Sequence, residues 1–308
     1  MGTDFRITVI LPAEREPQPL LDLLTNRLQQ IEQRMSTYID DSEVSRFNRA
    51  AAGQPVTLSD DTANVVRQAQ DIAKLSGGYF DITVAALVNA WGFGPDGAIT
   101  VRPEAELLEG LRASVGYSHL KLDGDQLSKT IDGVTIDLSA IAKGYAVDEL
   151  SKLLAQQRVT DYLIDIGGEL KARGVNIDRQ LWRVGIERPE MLGGIAKVVE
   201  LDSLAIATSG DYRNFLEIDG ERFSHTIDPL TASPVLHRLA LVSVLAEQAS
   251  EADALATALL AMGEDKARRF AKQHELSVYL VIRQANTDSY EEFMTPGFAQ
   301  RIQSHGIQ

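Results

Sequence analysis

The chain has 308 residues, with 30 Lys and Arg against 44 Asp and Glu and a formal net charge of −14. It therefore lacks the dense basic surface that a phosphate backbone requires, and nucleic acid is excluded as a partner. At 44% hydrophobic and 24% charged it has the composition of a folded protein, and the absence of cysteine removes disulfides, thiolate metal sites and cysteine nucleophiles together.

Segment 5–11 alternates apolar and polar residues and reads as a strand, with no basic stretch and apolar run ahead of it to mark a signal peptide. No apolar run approaches the ~18 to 20 residues of a membrane span. Segment 20–38 reads as an amphipathic helix carrying Leu21, Leu24, Leu28, Ile31 and Met35. A second helix over 59–75 carries Val65, Val66, Ala69 and Ile72, with Ser59 as its N-cap. Segment 77–95 has glycines and aromatics at both ends and suits a functional loop. The irregular stretch 92–116 is expected to form a smaller lobe or insertion.

Between 120 and 137, short alternating runs broken by Asp123-Gly124 and Asp132-Gly133 predict hairpins. A helix over 140–156 follows, then a buried strand over 162–166 ending in Gly167-Gly168. Short strands are expected at 182–186, 204–208 and 215–220, a helix at 247–262 and a strand at 278–282. The class is mixed α and β. No repeat or Pro/Ser-rich linker marks a boundary, and the whole of 1–308 is expected to be one domain.

Three places carry residues suited to chemistry. Asp137-Leu138-Ser139 lies where a strand becomes a helix, so the first-turn N–H groups attract an anion and Lys143 adds a charge nearby; the same residues also suit a plain capped helix. Asp253 and Thr257 stand four apart on one helical face among alanines, where two oxygens can meet on a hard cation; the pair is equally compatible with a solvated face. His225, between Ser224 and Thr226 and ahead of Asp228-Pro229, offers an imidazole as a general base, although a single histidine is more often structural. Thr208-Ser209-Gly210-Asp211 is a further polar loop after an apolar strand.

In order along the chain, these pieces resemble one family. They are Met1-Gly2-Thr3, Met35-Ser36-Thr37-Tyr38, Ser45-Arg46-Phe47-Asn48, Phe80-Asp81-Ile82-Thr83-Val84 through Trp91-Gly92-Phe93-Gly94, Asp137-Leu138-Ser139 through Lys143-Gly144-Tyr145, Asp165-Ile166-Gly167-Gly168, Ala207-Thr208-Ser209-Gly210, Ser224-His225 through Asp228-Pro229, and Ala252-Asp253-Ala254-Leu255. The family is that of the FAD:protein FMN transferases, the ApbE family. The resemblance implies an α+β fold with a T-fold-like core of antiparallel sheet and helices and a smaller α/β lobe. It implies a Mg²⁺-dependent enzyme that splits FAD, attaches FMN by a phosphoester to a Thr or Ser of a target flavoprotein, such as an electron-transport subunit, and releases AMP. Carried over by motif, Met1, Tyr38, Tyr79, Phe80, Asp81, Asp137, Lys143 and Ile227 would contact FAD. Ala140 through its carbonyl, Asp253 and Thr257 would hold Mg²⁺, and His225 would be the base.

Two positions depart from the common pattern. Some relatives carry a second Asp where this chain has Ala256, and some carry Glu where it has Lys143. The competing readings are a Mg²⁺-dependent FAD pyrophosphatase, in which water replaces the protein hydroxyl, and a flavin-binding protein without turnover. The resemblance also implies a periplasmic protein working at the inner membrane after removal of a leader, since Met1 matches an internal position of the family.

Overall fold

The computed structural model describes residues 2–189, 191–212, 214–285 and 289–302. Its centre is a seven-stranded sheet in the order Phe5–Val9, Tyr162–Ile166, Glu169–Arg173, Ala205–Gly210, Leu239–Ala246, Ser277–Arg283, Tyr290–Met294. Every neighbouring pair runs antiparallel. This is the mixed architecture with an antiparallel core that the sequence implied.

Successive residues of a strand face opposite sides, and here both sides are covered. Val242, Val244, Ala205, Ala207, Ile164 and Ile166 face a main core shared with the helices Gln18–Met35, Asp60–Leu75, Ser139–Gln156 and Ala249–Met262. Leu241, Leu245, Ile206, Leu170 and Tyr279 face a second core closed by Phe298 and by the paired strands Trp182–Arg188 and Met191–Leu201. Among the described residues no helix is long and apolar enough to cross a membrane.

The stretch 92–116 contains the helix Ala105–Arg112 and contributes Phe93, Ile99, Leu108, Leu111 and Val115 to a third apolar cluster. That cluster is built on Leu87, Trp91, Ile218, Phe223, Ile227 and Ala232. Trp91 stacks on Phe223 with centroids 5.4 Å apart and donates its indole N–H to Ala232 O at 3.1 Å.

Two local expectations are corrected. Leu21 lies on the exposed side of its helix, and the buried stripe is Leu20, Leu24, Leu28, Ile31 and Met35. The hairpin at Asp123-Gly124 forms, pairing Leu120–Asp123 with Gln126–Lys129, but no second hairpin forms at Asp132-Gly133. The reason is Asn48, whose side-chain amide takes both backbone groups of Ile136, accepting its N–H at 2.8 Å and donating to its carbonyl at 3.0 Å. Strand pairing there is replaced by a side chain that ties the entry of the Ser139–Gln156 helix to the Glu43–Arg49 helix.

Candidate functional site

The site begins with the approach of two helices. A Cβ on Gly144 would lie 2.3 Å from the Ala249 carbonyl oxygen and 2.6 Å from Ser250 Cα, so only glycine lets Ser139–Gln156 and Ala249–Met262 touch backbone to backbone. One turn further on, Asp148 accepts from the Ala249 and Ser250 N–H groups, each at 3.0 Å, and from Ser250 Oγ at 2.9 Å. A side chain of the first helix thereby caps the second. The second helix can be buried on almost every side because its sequence is mostly alanine and leucine.

This contact places Asp253. Its Oδ2 accepts the Gly144 N–H at 3.2 Å. In an α-helix the N–H of residue 144 also points at the carbonyl of residue 140, so the Asp253 carboxylate and the Ala140 carbonyl are directed at one donor. Thr257 stands one turn beyond Asp253, its hydroxyl 3.4 Å from Ser209 Oγ at the end of the strand Ala205–Gly210. Asp253 thus meets the strand-to-helix corner at 137–144, while its i+4 neighbour Thr257 faces Ser209.

The charges at this corner are unusual. Asp253 is 2% exposed and Glu169 4%. Glu169 starts its strand after the tight Gly167-Gly168 turn, whose φ values of +65° and +99° are what a primed hairpin turn demands. Its Oε2 is buried without a hydrogen-bond partner. Lys143 Nζ lies 3.5 Å from Asp253 Oδ2 and 3.7 Å from Glu169 Oε2. Burial pushes both carboxyls up, and Lys143 works against that in each. Burial disfavours the Lys143 ammonium, but Asp253 and Glu169 outweigh it and hold its pKa raised. Among the described residues no three His, Asp or Glu side chains gather at metal-binding spacing. A divalent ion here would therefore draw on carbonyl, hydroxyl and substrate oxygens as well.

His225 is half-buried beside the third apolar cluster, edge-on to Phe93 with ring centroids 6.4 Å apart. Its Nδ1 lies 3.0 Å from the Asn214 carbonyl, which can only accept, so Nδ1 carries the proton and Nε2 keeps a free lone pair. Burial lowers its pKa and the Lys143 charge acts in the same direction, while the Asn214 bond and Asp211 oppose them. The histidine thus feels the charged corner electrostatically.

The remaining sequence candidates are spread more widely. Asp137 accepts the Ser139 N–H at 2.8 Å and opens the helix as a local cap. Asp81 is buried and fully engaged, accepting Thr83 Oγ1 at 2.6 Å, Thr83 N–H at 2.9 Å and Tyr117 N–H at 2.6 Å, which makes it the staple of its own loop. Phe80 and Ile227 have buried side chains, in the main core and the third cluster respectively. Tyr79 bonds through its hydroxyl to Lys266, whose Nζ also sits 4.8 Å over the ring, at the edge of a depression of about 390 Å³ shared with Asp228 and His237. Tyr38 is 71% exposed and Met1 lies outside the described residues. Sequence reasoning missed Glu169, Ser209 and Asn214 as parts of the site. For Glu169 the one usable signal was an acid placed directly after a Gly-Gly turn.

Comparisons with known proteins identify the family. A model of the ApbE family matches residues 1–280. The chain is 39% identical over 300 residues to a FAD:protein FMN transferase of Vibrio cholerae, covering 97% of this chain and 89% of that one. It is 41% identical over 266 residues to a FAD:protein FMN transferase of Haemophilus influenzae, covering 84% and 77%. The solved structure of the flavin transferase ApbE from Vibrio cholerae superposes with a TM-score of 0.91 at 37% identity, over 98% of this chain and 96% of that one. The fold is that of these flavin transferases, and the protein is a transferase. The chain belongs to the ApbE family, to which these flavin transferases belong.

Proposed function

We propose that the protein splits FAD, transfers the FMN half to a Thr or Ser hydroxyl of a target flavoprotein and releases AMP. The observation that carries this reading is the meeting of Asp253, Lys143 and the Ala140 carbonyl at one corner, with Thr257 one helical turn beyond Asp253. A diphosphate carries charge that must be neutralised while the attacking hydroxyl is held in line with the bond that breaks. Lys143 and the positive end of the Ser139–Gln156 helix supply that field. His225 Nε2 accepts the hydroxyl proton as oxygen attacks the FMN-side phosphorus, and the bond to the AMP oxygen breaks. The Asn214 carbonyl keeps Nδ1 protonated, so the accepting nitrogen stays the one facing away from the loop.

A magnesium ion suits the residues present, since Asp253, Thr257 and the Ala140 carbonyl would hold it through oxygen alone, beside a buried Glu169 oxygen with no hydrogen-bond partner. When bound there it would supply positive charge to the diphosphate. Of the FAD contacts carried over by motif, Asp137 and Lys143 have polar groups at this corner, whereas Phe80 is buried in the main core and Ile227 in the third cluster. By the same family reading the protein works in the periplasm on electron-transport subunits. The deciding experiment is incubation with FAD, Mg²⁺ and an acceptor flavoprotein domain, followed by a denaturing gel. Flavin fluorescence retained on the acceptor band is the expected result, and free FMN and AMP with an unlabelled band would instead make the protein a pyrophosphatase.

A further inference from the structure

A cation already stands among the site's buried carboxylates. The Lys143 ammonium donates well only to the Ser139 carbonyl, at 2.9 Å. Its approaches to Asp253 Oδ2 at 3.5 Å and Glu169 Oε2 at 3.7 Å lie at or past the limit of hydrogen bonding, so it serves these two by charge rather than by directed bonds. The Glu169 oxygen that faces it is fully buried and otherwise unpartnered. With both acids ionised, two buried carboxylates and one ammonium leave a residual negative charge, whereas a divalent ion in the same place balances it. The three side chains also differ in freedom. Lys143 is 25% exposed against 5% for Glu169 and 3% for Asp253, so the lysine alone has a way out to solvent.

We propose that Lys143 is a placeholder for the divalent cation, occupying the space between Asp253 and Glu169 until the metal arrives and then swinging outward toward the bound diphosphate. The inference rests on the reading of this corner as a metal site and adds an order of events. Metal entry frees the ammonium, so the positive charge needed for the phosphates becomes available only once the ion is seated. Glu169 then shares the ion's charge with Asp253, which offsets the single carboxylate left by Ala256 on the helix.

The test uses FAD-free protein. Reductive methylation of the wild type, mapped by mass spectrometry, reads exposure of the Lys143 amine directly, with Mg²⁺ expected to accelerate labelling at this residue. Labelling unchanged or slowed by Mg²⁺ overturns the proposal. Calorimetric titration with Mg²⁺ should show Lys143→Met binding about tenfold tighter than wild type, because no resident charge has to be displaced, and Glu169→Gln binding about tenfold weaker. A Lys143→Met affinity equal to or below wild type, or a Glu169→Gln affinity equal to wild type, also overturns it. A wild-type protein that takes up no Mg²⁺ at all overturns the metal-site reading itself, which separates the two failures.

Discussion

A histidine acts as a base near neutral pH when it is kept uncharged and presents the correct nitrogen, and His225 meets both conditions. Burial lowers its pKa from the usual 6.5, and the Asn214 carbonyl selects the tautomer. Because the reactive form is the neutral one, activity should be full at pH 7 and should fall as the pH drops through a value below 6.5. A kcat/KM profile measures this, and an acid limb centred above 6.5 would count against His225 as the base. His225→Ala should lower the transfer rate by roughly 10²- to 10⁴-fold with FAD binding largely kept. Asp253→Ala should abolish Mg²⁺-dependent turnover while leaving measurable FAD binding by fluorescence quenching. The pair Asp253 and Thr257 was legible because an i, i+4 spacing on a helix fixes which side chains are neighbours. Glu169 was not, because its position depends on a strand register and on a lysine more than twenty residues earlier in the chain.

At the scale of elements, the joint between Ser139–Gln156 and Ala249–Met262 decides where the ion-side carboxylate stands. Asp148 fixes that joint by capping the second helix from the first and by pairing with Lys171 Nζ at 2.9 Å. Asp148→Ala should destabilise the fold by about 1 to 3 kcal/mol, since it removes a cap and leaves buried N–H groups without acceptors. Urea unfolding measures the loss, and weaker Mg²⁺ binding should accompany it. The long helices Gln18–Met35, Asp60–Leu75, Ser139–Gln156 and Ala249–Met262 were readable from the spacing of their apolar residues, whereas Glu43–Arg49, Ala85–Ala90, Ala105–Arg112 and Glu264–Gln273 were not. The strand Leu239–Ala246 was not, because it is buried on both faces and its apolar run, interrupted only by Ser243, carries no period. The second hairpin failed for another reason: its turn signal is local, whereas Asn48, which takes the Ile136 backbone, is 88 residues away.

Across the whole molecule, one carboxylate ties three helices together away from the site. Asp61 on Asp60–Leu75 accepts both Arg27 Nη atoms at 2.6 Å and the Tyr145 hydroxyl at 2.6 Å, and also pairs with Arg34. Burial alone would raise its pKa, but Arg27, Tyr145 and Arg34 bring it down from 3.8 to about 2. A depressed carboxylate stabilises the fold above its unfolded pKa, and the contribution disappears as the pH falls from about 4 toward 2. It amounts to about 2 kcal/mol, and Asp61→Asn should lose that much at neutral pH and show a flatter acid-unfolding curve.

The separate seating of the two halves of the site has a practical outcome for anyone damaging one of them. His225 meets Phe93 of the third apolar cluster edge-on, whereas Asp253 sits on the Ala249–Met262 helix of the main core, and the two clusters share no side chain. Phe93→Ala should therefore blunt proton abstraction, seen as a fall in kcat, while Mg²⁺ titrations trace the same isotherm as before. Injury to the reacting side thus leaves the cation's berth intact.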